Sequence, residues 1–476
     1  VVDAKLVNDA NTGSAHEVRA SELRERLFNQ STVAHVGRVV RAVGTSMRIS
    51  GLPVRIGQRC QVIDRNTGHK VQADVVGLEQ GDAILVPLSG LQGIATDSEV
   101  RVLSEKVTIN VSDELLGRVL DGFGQPLDAL ALPTTGVAMP LRADSPNPLT
   151  RKRVSEPLIT GIKVIDAFIT VGVGQRLGIF APAGAGKSTL LGMLASQSTS
   201  DVIVIGLIGE RGREVKEFLE DVLGPSTWSR SVIVVATSDR AAMERVSAAE
   251  TATAIAEGFR DQGMNVLLLV DSVTRYARAV REMGLAVGEP PVRQGYTPSV
   301  FAELPRLFER SGNNAIGCIS AFYTVLSDDD SGLDPISEET RSILDGHIVL
   351  SRALGEKAHF PAVDVLASQS RLFMQLASPR HQSAVLVVRS LLAKFRDVEF
   401  LLQVGEYKAG SDALADSAIS LIPEIQDLLK QPSTEAVPFV DTLEQLCSIA
   451  DRVSIPGTNS AGASVEQACE PAKLDS

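Results

Sequence analysis

The pattern of apolar and polar positions changes character several times along the 476-residue chain. The first thirty residues are polar and close on a short amphipathic stretch over residues 21–30, with Leu23, Leu27 and Phe28 on one helical face. From residue 34 to about residue 103, short Val- and Ile-rich runs broken by glycine follow one another: HVGRVVRAV, QRCQVID, QADVVGLEQGDAILVPL and EVRVL. Short alternating segments with regular turn signals predict a small all-β domain, a barrel. Residues 104–155 are rich in proline and glycine and read as a connector. Between residues 156 and 405, apolar runs of strand length (RLGIFA, DVIVIGLIG, SVIVVAT, NVLLLVD, AIGCISAFYTV, HIVLSR) alternate with longer helical patterns. Nearly continuous hydrophobicity suits parallel strands covered on both faces, so this stretch predicts an α/β domain. The Ala-rich segment 240–263 has high helix propensity and ends at Gly263, a fitting C-terminal cap. Past Gly410 the pattern is mainly helical, and residues 456–476 are small, polar and expected to be disordered. The expected division is a segment 1–30, a barrel 31–103, an α/β domain with its connector 104–405, a helical domain 406–455 and a tail 456–476.

Composition narrows the range of functions. A chain of this length exceeds one compact core, which agrees with several domains. The net charge of −12 argues against nucleic acid as the main partner, because that affinity rests on Lys and Arg neutralising phosphates. Cys60, Cys318, Cys447 and Cys469 are far apart with no metal-ligand spacing, and they read as free thiols in a reducing cytosol, Cys318 as a buried one. No apolar run reaches the roughly 18 residues that span a bilayer. The N-terminal residues lack the charged-then-apolar order of a signal peptide. The expectation is a soluble, cytoplasmic protein whose membrane role, if it has one, is peripheral.

The segment APAGAGKST (181–189) carries the first chemistry. A phosphate-binding loop needs glycines so that backbone N–H groups turn inward, a lysine for the β- and γ-phosphate charge, a hydroxyl for Mg²⁺ and a helix N-terminus behind it. Gly184 and Gly186 supply the turn, Lys187 the charge and Ser188 the metal ligand. The strand RLGIF precedes and the helix TLLGMLASQ follows. The usual GxxxxGK[ST] pattern opens on glycine, whereas Ala181 stands there. The expected nucleotide-binding set is Ala183, Gly184, Ala185, Gly186, Lys187, Ser188 and Thr189. NVLLLVD ends on Asp271, which could order Mg²⁺, cap the helix that follows, or do both. LIGERGREV presents Glu210 and Arg211 after a buried strand, either as a base for the attacking water or as a surface ion pair opening a helix.

Taken together, GAGKST, LIGERGREV, LLLVDSVTRYARA, RSILDGHIVLSR and FPAVDVLASQSR resemble the catalytic subunits of the rotary ATPase superfamily, in order over residues 30–431. The resemblance implies a RecA-like P-loop domain with a parallel sheet, preceded by a small N-terminal β-barrel and followed by a helical C-terminal domain, assembled as a ring of six. GYTPSVFAELPRLFERSG, SAFYTVLSDDD and VGEYKAGSD look most like the ATPases of type III secretion systems, where alanine at position 181 is usual. The flagellar export ATPases are the near alternative, and Glu406 in GEYKAGSD favours the injectisome branch. An ATP synthase-type catalytic subunit is a further reading.

The resemblance assigns roles. Lys187 and Ser188 hold phosphates and Mg²⁺, Thr189 reaches the α-phosphate, Glu210 is the catalytic glutamate, and Arg211 is its phosphate-contacting neighbour. Asp271 is the second carboxylate at the metal. Arg371 matches the arginine finger that reaches the next subunit's nucleotide, with a structural ion pair as the alternative, and Arg352 is a second candidate. Tyr407 either stacks on adenine or belongs to the core. The implied cofactors are ATP and Mg²⁺. The implied partners are further copies of the chain in a homohexamer, a stalk, peripheral stator-like proteins and effector–chaperone complexes, at the cytoplasmic face of the inner membrane. Gln294 and the acidic loop 327–332 depart from the family pattern. Two readings compete: a non-catalytic ring subunit, against which Glu210 argues, and an RNA translocase. The latter needs a basic, aromatic N-terminal module, but Phe28 is the only Phe, Tyr or Trp in residues 1–103.

Overall fold

The computed structural model describes residues 35–104, 107–327 and 334–453. The amphipathic stretch 21–30, the tail 456–476 and all but the first residue of the acidic loop 327–332 lie outside the described residues. By contact the chain divides into two units, Val1–Glu105 and Lys106–Ser476.

Alternation closes the first unit. Its strands β1 (Gly37–Val43), β2 (Ser46–Ser50), β3 (Arg59–Ile63), β4 (Lys70–Glu79), β5 (Asp82–Pro87) and β6 (Glu99–Ser104) form a closed barrel in the order β1-β2-β5-β4-β3-β6. Met47 and Ile49 of β2 and Cys60 and Val62 of β3 point inward and are almost fully buried, while Arg48 and Gln61 between them keep access to solvent. Closure pairs every strand and leaves no free edge. Arg59 and Asp74, opposite each other on β3 and β4, add a bidentate pair at 2.8 and 3.1 Å.

The second unit is built on one sheet. Its strands are β7 (Arg118–Asp121), β8 (Arg176–Ala181), β9 (Val202–Ile208), β10 (Ser231–Ala236), β11 (Asn265–Asp271), β12 (Cys318–Leu326), β13 (Gly346–Val349) and β14 (Gln369–Ser370). They lie in the order β14-β13-β8-β12-β11-β9-β10-β7, parallel except for β14, and a ninth, two-residue strand, Gly312–Asn313, pairs antiparallel with β12 off this path. Every residue of β9 and β10 is buried. Their side chains divide between two cores: Ile203, Ile205 and Leu207 face one, and Val202, Val204 and Ile208 face the other. The second core is completed by α4 (Ala242–Arg260), α5 (Val273–Ala286) and α6 (Pro298–Glu309). The first is completed by α1 (Lys163–Phe168), α2 (Lys187–Gln197) and the C-terminal helices.

The structure differs from the sequence reading in three places. The connector is not only a linker: its residues 118–121 form β7, which extends the sheet beside β10. Four residues between glycine turns are too short to show strand periodicity. The helical region starts earlier than residue 406, because α8 (Pro379–Gln403) packs against α9 (Ala413–Leu429) and α10 (Phe439–Asp451). Val385, Val388 and Leu391 of α8 share a core with Leu421 of α9 and Leu446 of α10. Cys318 is half-buried rather than buried, with its thiol donating to Asn265 Oδ1 at 3.2 Å.

Candidate active site

Parallel strands deliver the chemistry to one end of the sheet. β8, β12, β11 and β9 are neighbours, and their C-terminal ends carry the P-loop, Thr324, Asp271 and Glu210 respectively. After β8 the chain turns through Gly184 (φ +80°) and Gly186 (φ +85°) into α2. Both are left-handed conformations that a side chain disfavours. Ala183, Gly184, Ser188 and Thr189 are exposed, Gly186 and Lys187 are half-buried and Ala185 is buried. The loop therefore presents backbone and hydroxyls outward from a fixed base.

Lys187 lies between two acids. Its Nζ is 2.5 Å from Asp271 Oδ1 and 3.2 Å from Glu210 Oε1. Thr324 Oγ1 donates to the same Asp271 oxygen at 2.6 Å. Burial opposes the lysine charge, but Asp271 and Glu210 outweigh it and hold the ammonium pKa above its ordinary value. Burial pushes the Asp271 carboxyl up, opposed by Lys187. Glu210 follows Gly209 (φ +72°), where a Cβ would come within 2.9 Å of Arg275 Cβ on α5. Only glycine permits that approach, so Gly209 sets where Glu210 leaves the strand. Arg275 Nε is buried with no hydrogen-bond partner among the described residues.

The remaining residues singled out from sequence sit elsewhere. Arg211 precedes α3 (Gly212–Glu217), is largely exposed and pairs with Glu214 at 3.4 Å. Tyr407 donates to Asp416 Oδ1 at 2.9 Å and so ties the loop after α8 to α9. Arg352 follows β13 beyond its Ser351 cap. Arg371 lies at the other end of the sheet. Its backbone N donates to Asp345 O at 2.9 Å, and Asp345 N donates to Arg176 O, the first residue of β8, whose last residue is Ala181. At about 3.3 Å per residue, that puts Arg371 roughly 16 Å along the strand direction from the P-loop of its own chain. Its guanidinium is exposed and donates to Arg341 O at 3.1 Å and Ser342 O at 3.4 Å.

One aromatic at the loop was not singled out from sequence. A Cβ on Gly186 would lie 3.9 Å from the Phe360 ring, which is 47% exposed. Gln431 N donates to Phe360 O at 3.0 Å. Nothing in the local pattern AHFPAVD separates this ring from a core aromatic.

A lysine held between two acids, at a glycine turn where a helix begins, is preorganised to exchange those acids for a triphosphate, and the enzyme is a RecA-like P-loop ATPase. The ATP synthase alpha/beta family nucleotide-binding domain matches residues 161–370, and the T3SS EscN ATPase C-terminal domain matches residues 377–448. Over 429 residues the chain is 50% identical to a type 3 secretion system ATPase of Xanthomonas euvesicatoria, covering 90% of this chain and 97% of the relative. Over 414 residues it is 46% identical to the flagellum-specific ATP synthase of Bacillus subtilis, covering 87% and 94% respectively. The structure of the assembled ATPase EscN from the enteropathogenic E. coli type III secretion system matches with a TM-score of 0.82 and 44% identity, over 87% of this chain and 100% of that one. EscN in complex with its central stalk EscO matches at 0.80 and 43%, with the same coverage. The chain belongs to the type III export ATPases, within the wider ATP synthase alpha/beta family. Among the described residues no helix is long and apolar enough to cross a membrane.

Proposed function

We propose that the chain hydrolyses Mg-ATP at sites shared between neighbours in a homohexameric ring, and that turnover energises type III export by unfolding effectors and releasing their chaperones. The observation that carries the shared site is the position of Arg371, exposed at the end of the sheet away from its own P-loop. An arginine there serves a nucleotide only if that nucleotide belongs to another chain. Each site then combines Lys187, Ser188, Thr189, Glu210, Arg211 and Asp271 of one subunit with Arg371 of the next.

The residues present suit Mg²⁺, which takes hard oxygen donors and keeps several waters, and which supplies charge neutralisation at the phosphates when bound. Ser188 offers an exposed hydroxyl and Asp271 a carboxylate. On triphosphate binding, Lys187 exchanges its acids for phosphate oxygens, and the freed Glu210 accepts a proton from the attacking water. Lys187 and the neighbour's Arg371 stabilise the charge that develops on the transferred group. Phe360, beside Gly186, fits the base better than Tyr407, whose hydroxyl is held by Asp416.

The two solved EscN structures support assembly of like subunits around a stalk protein, and peripheral stator-like proteins and effector–chaperone complexes complete the expected set of partners. The place of work is the cytoplasmic face of the inner membrane. The injectisome branch is preferred to the flagellar one on Glu406. The test is turnover per subunit against protein concentration. It rises steeply as rings form, and Arg371→Ala lowers it about 10³-fold or more at the concentrations where rings form. A concentration-independent rate from a proven monomer overturns the shared site.

A further inference from the structure

Phe180 is the last residue before Ala181, where the P-loop opens, and it is 1% exposed. Its ring does not stand away from the strand. It lies back along β8 over Gly178, where a Cβ would come within 2.5 Å of Phe180 Cε2 and 3.3 Å of Leu344 Cδ1. This carries the ring from the nucleotide end of the sheet towards the end that holds Arg371. There it meets the guanidinium of Arg341, whose Cζ is 4.6 Å from the ring centroid. Arg341 belongs to α7 (Pro335–Ile343), and its own carbonyl is one of the two that accept the Arg371 guanidinium.

A second contact runs the same way. The Phe180 ring meets the His347 ring edge-on, with centroids 6.2 Å apart at 89°. His347 Nε2 is 3.0 Å from the carbonyl of Ala367, and His347 pairs with Gln369 across β13 and β14. Both segments that fix Arg371, the end of α7 and the strand β14, are therefore attached to one ring on the P-loop strand. Arg389 of α8 holds the far side of the same loop, donating to Ser368 O at 2.5 Å and to Val365 O.

We infer that Arg341 is a positioning residue for Arg371, and that the Phe180–Arg341 stack links the P-loop strand of one subunit to the arginine that subunit presents to its neighbour. A planar guanidinium over a buried aromatic face is directionally held by cation–π attraction. When the start of the P-loop shifts with its nucleotide, the ring shifts with it, and the carbonyl under Arg371 follows. Adjacent sites are thereby coupled through a short packed path with two anchored ends. The inference rests on the proposal that Arg371 acts across the interface.

The test is Arg341→Gln in the assembled full-length enzyme, a change at an exposed side chain. The expected kcat falls about ten- to hundredfold, as for a catalytic group displaced by about 1 Å. The Kd for a fluorescent ATP analogue stays within about twofold, since the subunit's own binding loop is intact. Mixed rings give the decisive readout. Glu210→Gln chains have dead sites but intact arginines, so they restore turnover at the sites of Arg341→Gln chains. Arg371→Ala mixed with Glu210→Gln is the control. If the control recovers activity and the Arg341→Gln mixture does not, Arg341 acts on its own site and this inference is overturned while the shared site stands. If the control itself fails, the shared site is wrong and the inference falls with it. An unchanged kcat in Arg341→Gln also overturns it, and a thermal melt excludes unfolding as the cause of a loss.

Discussion

Replacing Glu210 by glutamine should do two opposite things, and the structure sets the size of the second. The first is loss of turnover, because the amide cannot accept the proton of the attacking water. The second is tighter nucleotide binding. Lys187 is held by Glu210 at 3.2 Å and by Asp271 at 2.5 Å, with side chains only 13%, 11% and 5% exposed. At an effective dielectric of 20, the attraction between unit charges 3.2 Å apart is about 5 kcal/mol. After desolvation, a hydrogen bond to a charged group contributes about 1.5–3 kcal/mol net. An arriving triphosphate must displace that contact, and in the glutamine variant most of the cost is absent. Asp271 still orients the lysine. Affinity for ATP should therefore rise by about 1–2 kcal/mol, roughly five- to thirtyfold. Equilibrium titration with a fluorescent ATP analogue measures the affinity, and phosphate release measures the turnover. Unchanged or weaker binding would show that Glu210 does not compete for Lys187, and surviving turnover would remove it from catalysis.

Other expectations follow from particular contacts. Phe360→Ala should weaken ATP binding by about 1–3 kcal/mol, the value of one stacked base, while leaving tripolyphosphate binding unchanged; an equal loss for both ligands would mean the ring only supports the loop. Arg310→Met should destabilise the enzyme by about 3–5 kcal/mol in chemical denaturation, because it strands Glu257 without its charge partner. Those two side chains are 5% and 3% exposed and bonded at 2.6 and 3.1 Å, so a shift below 1 kcal/mol would contradict that burial. Asp166 accepts from Thr160 and Gly161, and burial pushes its pKa up to about 7. A carboxyl whose folded pKa is raised binds its proton more tightly in the native state, so its contribution to stability falls as pH rises from about 4 to 7. The stability of the wild type minus that of Asp166→Asn should decline over that window and level off above it; a flat difference would place Asp166 at an ordinary pKa.

How much of this was legible in the sequence depends on whether a residue's role is local. The P-loop, Glu210 and Asp271 each follow a buried apolar strand directly, so strand pattern and chemistry could be read from one short window. Their convergence needs only parallel neighbours, which the α/β rhythm implies. Thr324 and Phe360 depend on register and on loop placement, and no window around either shows what it faces. Gly209 closes a buried strand, and no window around it shows that Arg275 packs within 2.9 Å of where its Cβ would stand. The boundary near residue 406 followed a change in composition, whereas helix packing begins at Pro379, because α8 carries charged residues on the face turned from the shared core. Arg371 is marked in the sequence only by family resemblance. Its distance from its own P-loop follows from the β13–β14 pairing, which two residues of strand do not announce.

That distance gives the subunit a direction. If Arg371 serves a neighbouring nucleotide as proposed, one end of the sheet accepts a guanidinium and the other donates one, so copies join head to tail and an open row leaves one loop unserved and one arginine idle. A pair of subunits has a single complete site, and each added copy completes one more. Only closure of the ring makes the number of working sites equal the number of chains. Specific activity therefore reports the topology of the assembly as well as its size, and the last subunit to join completes two sites at once.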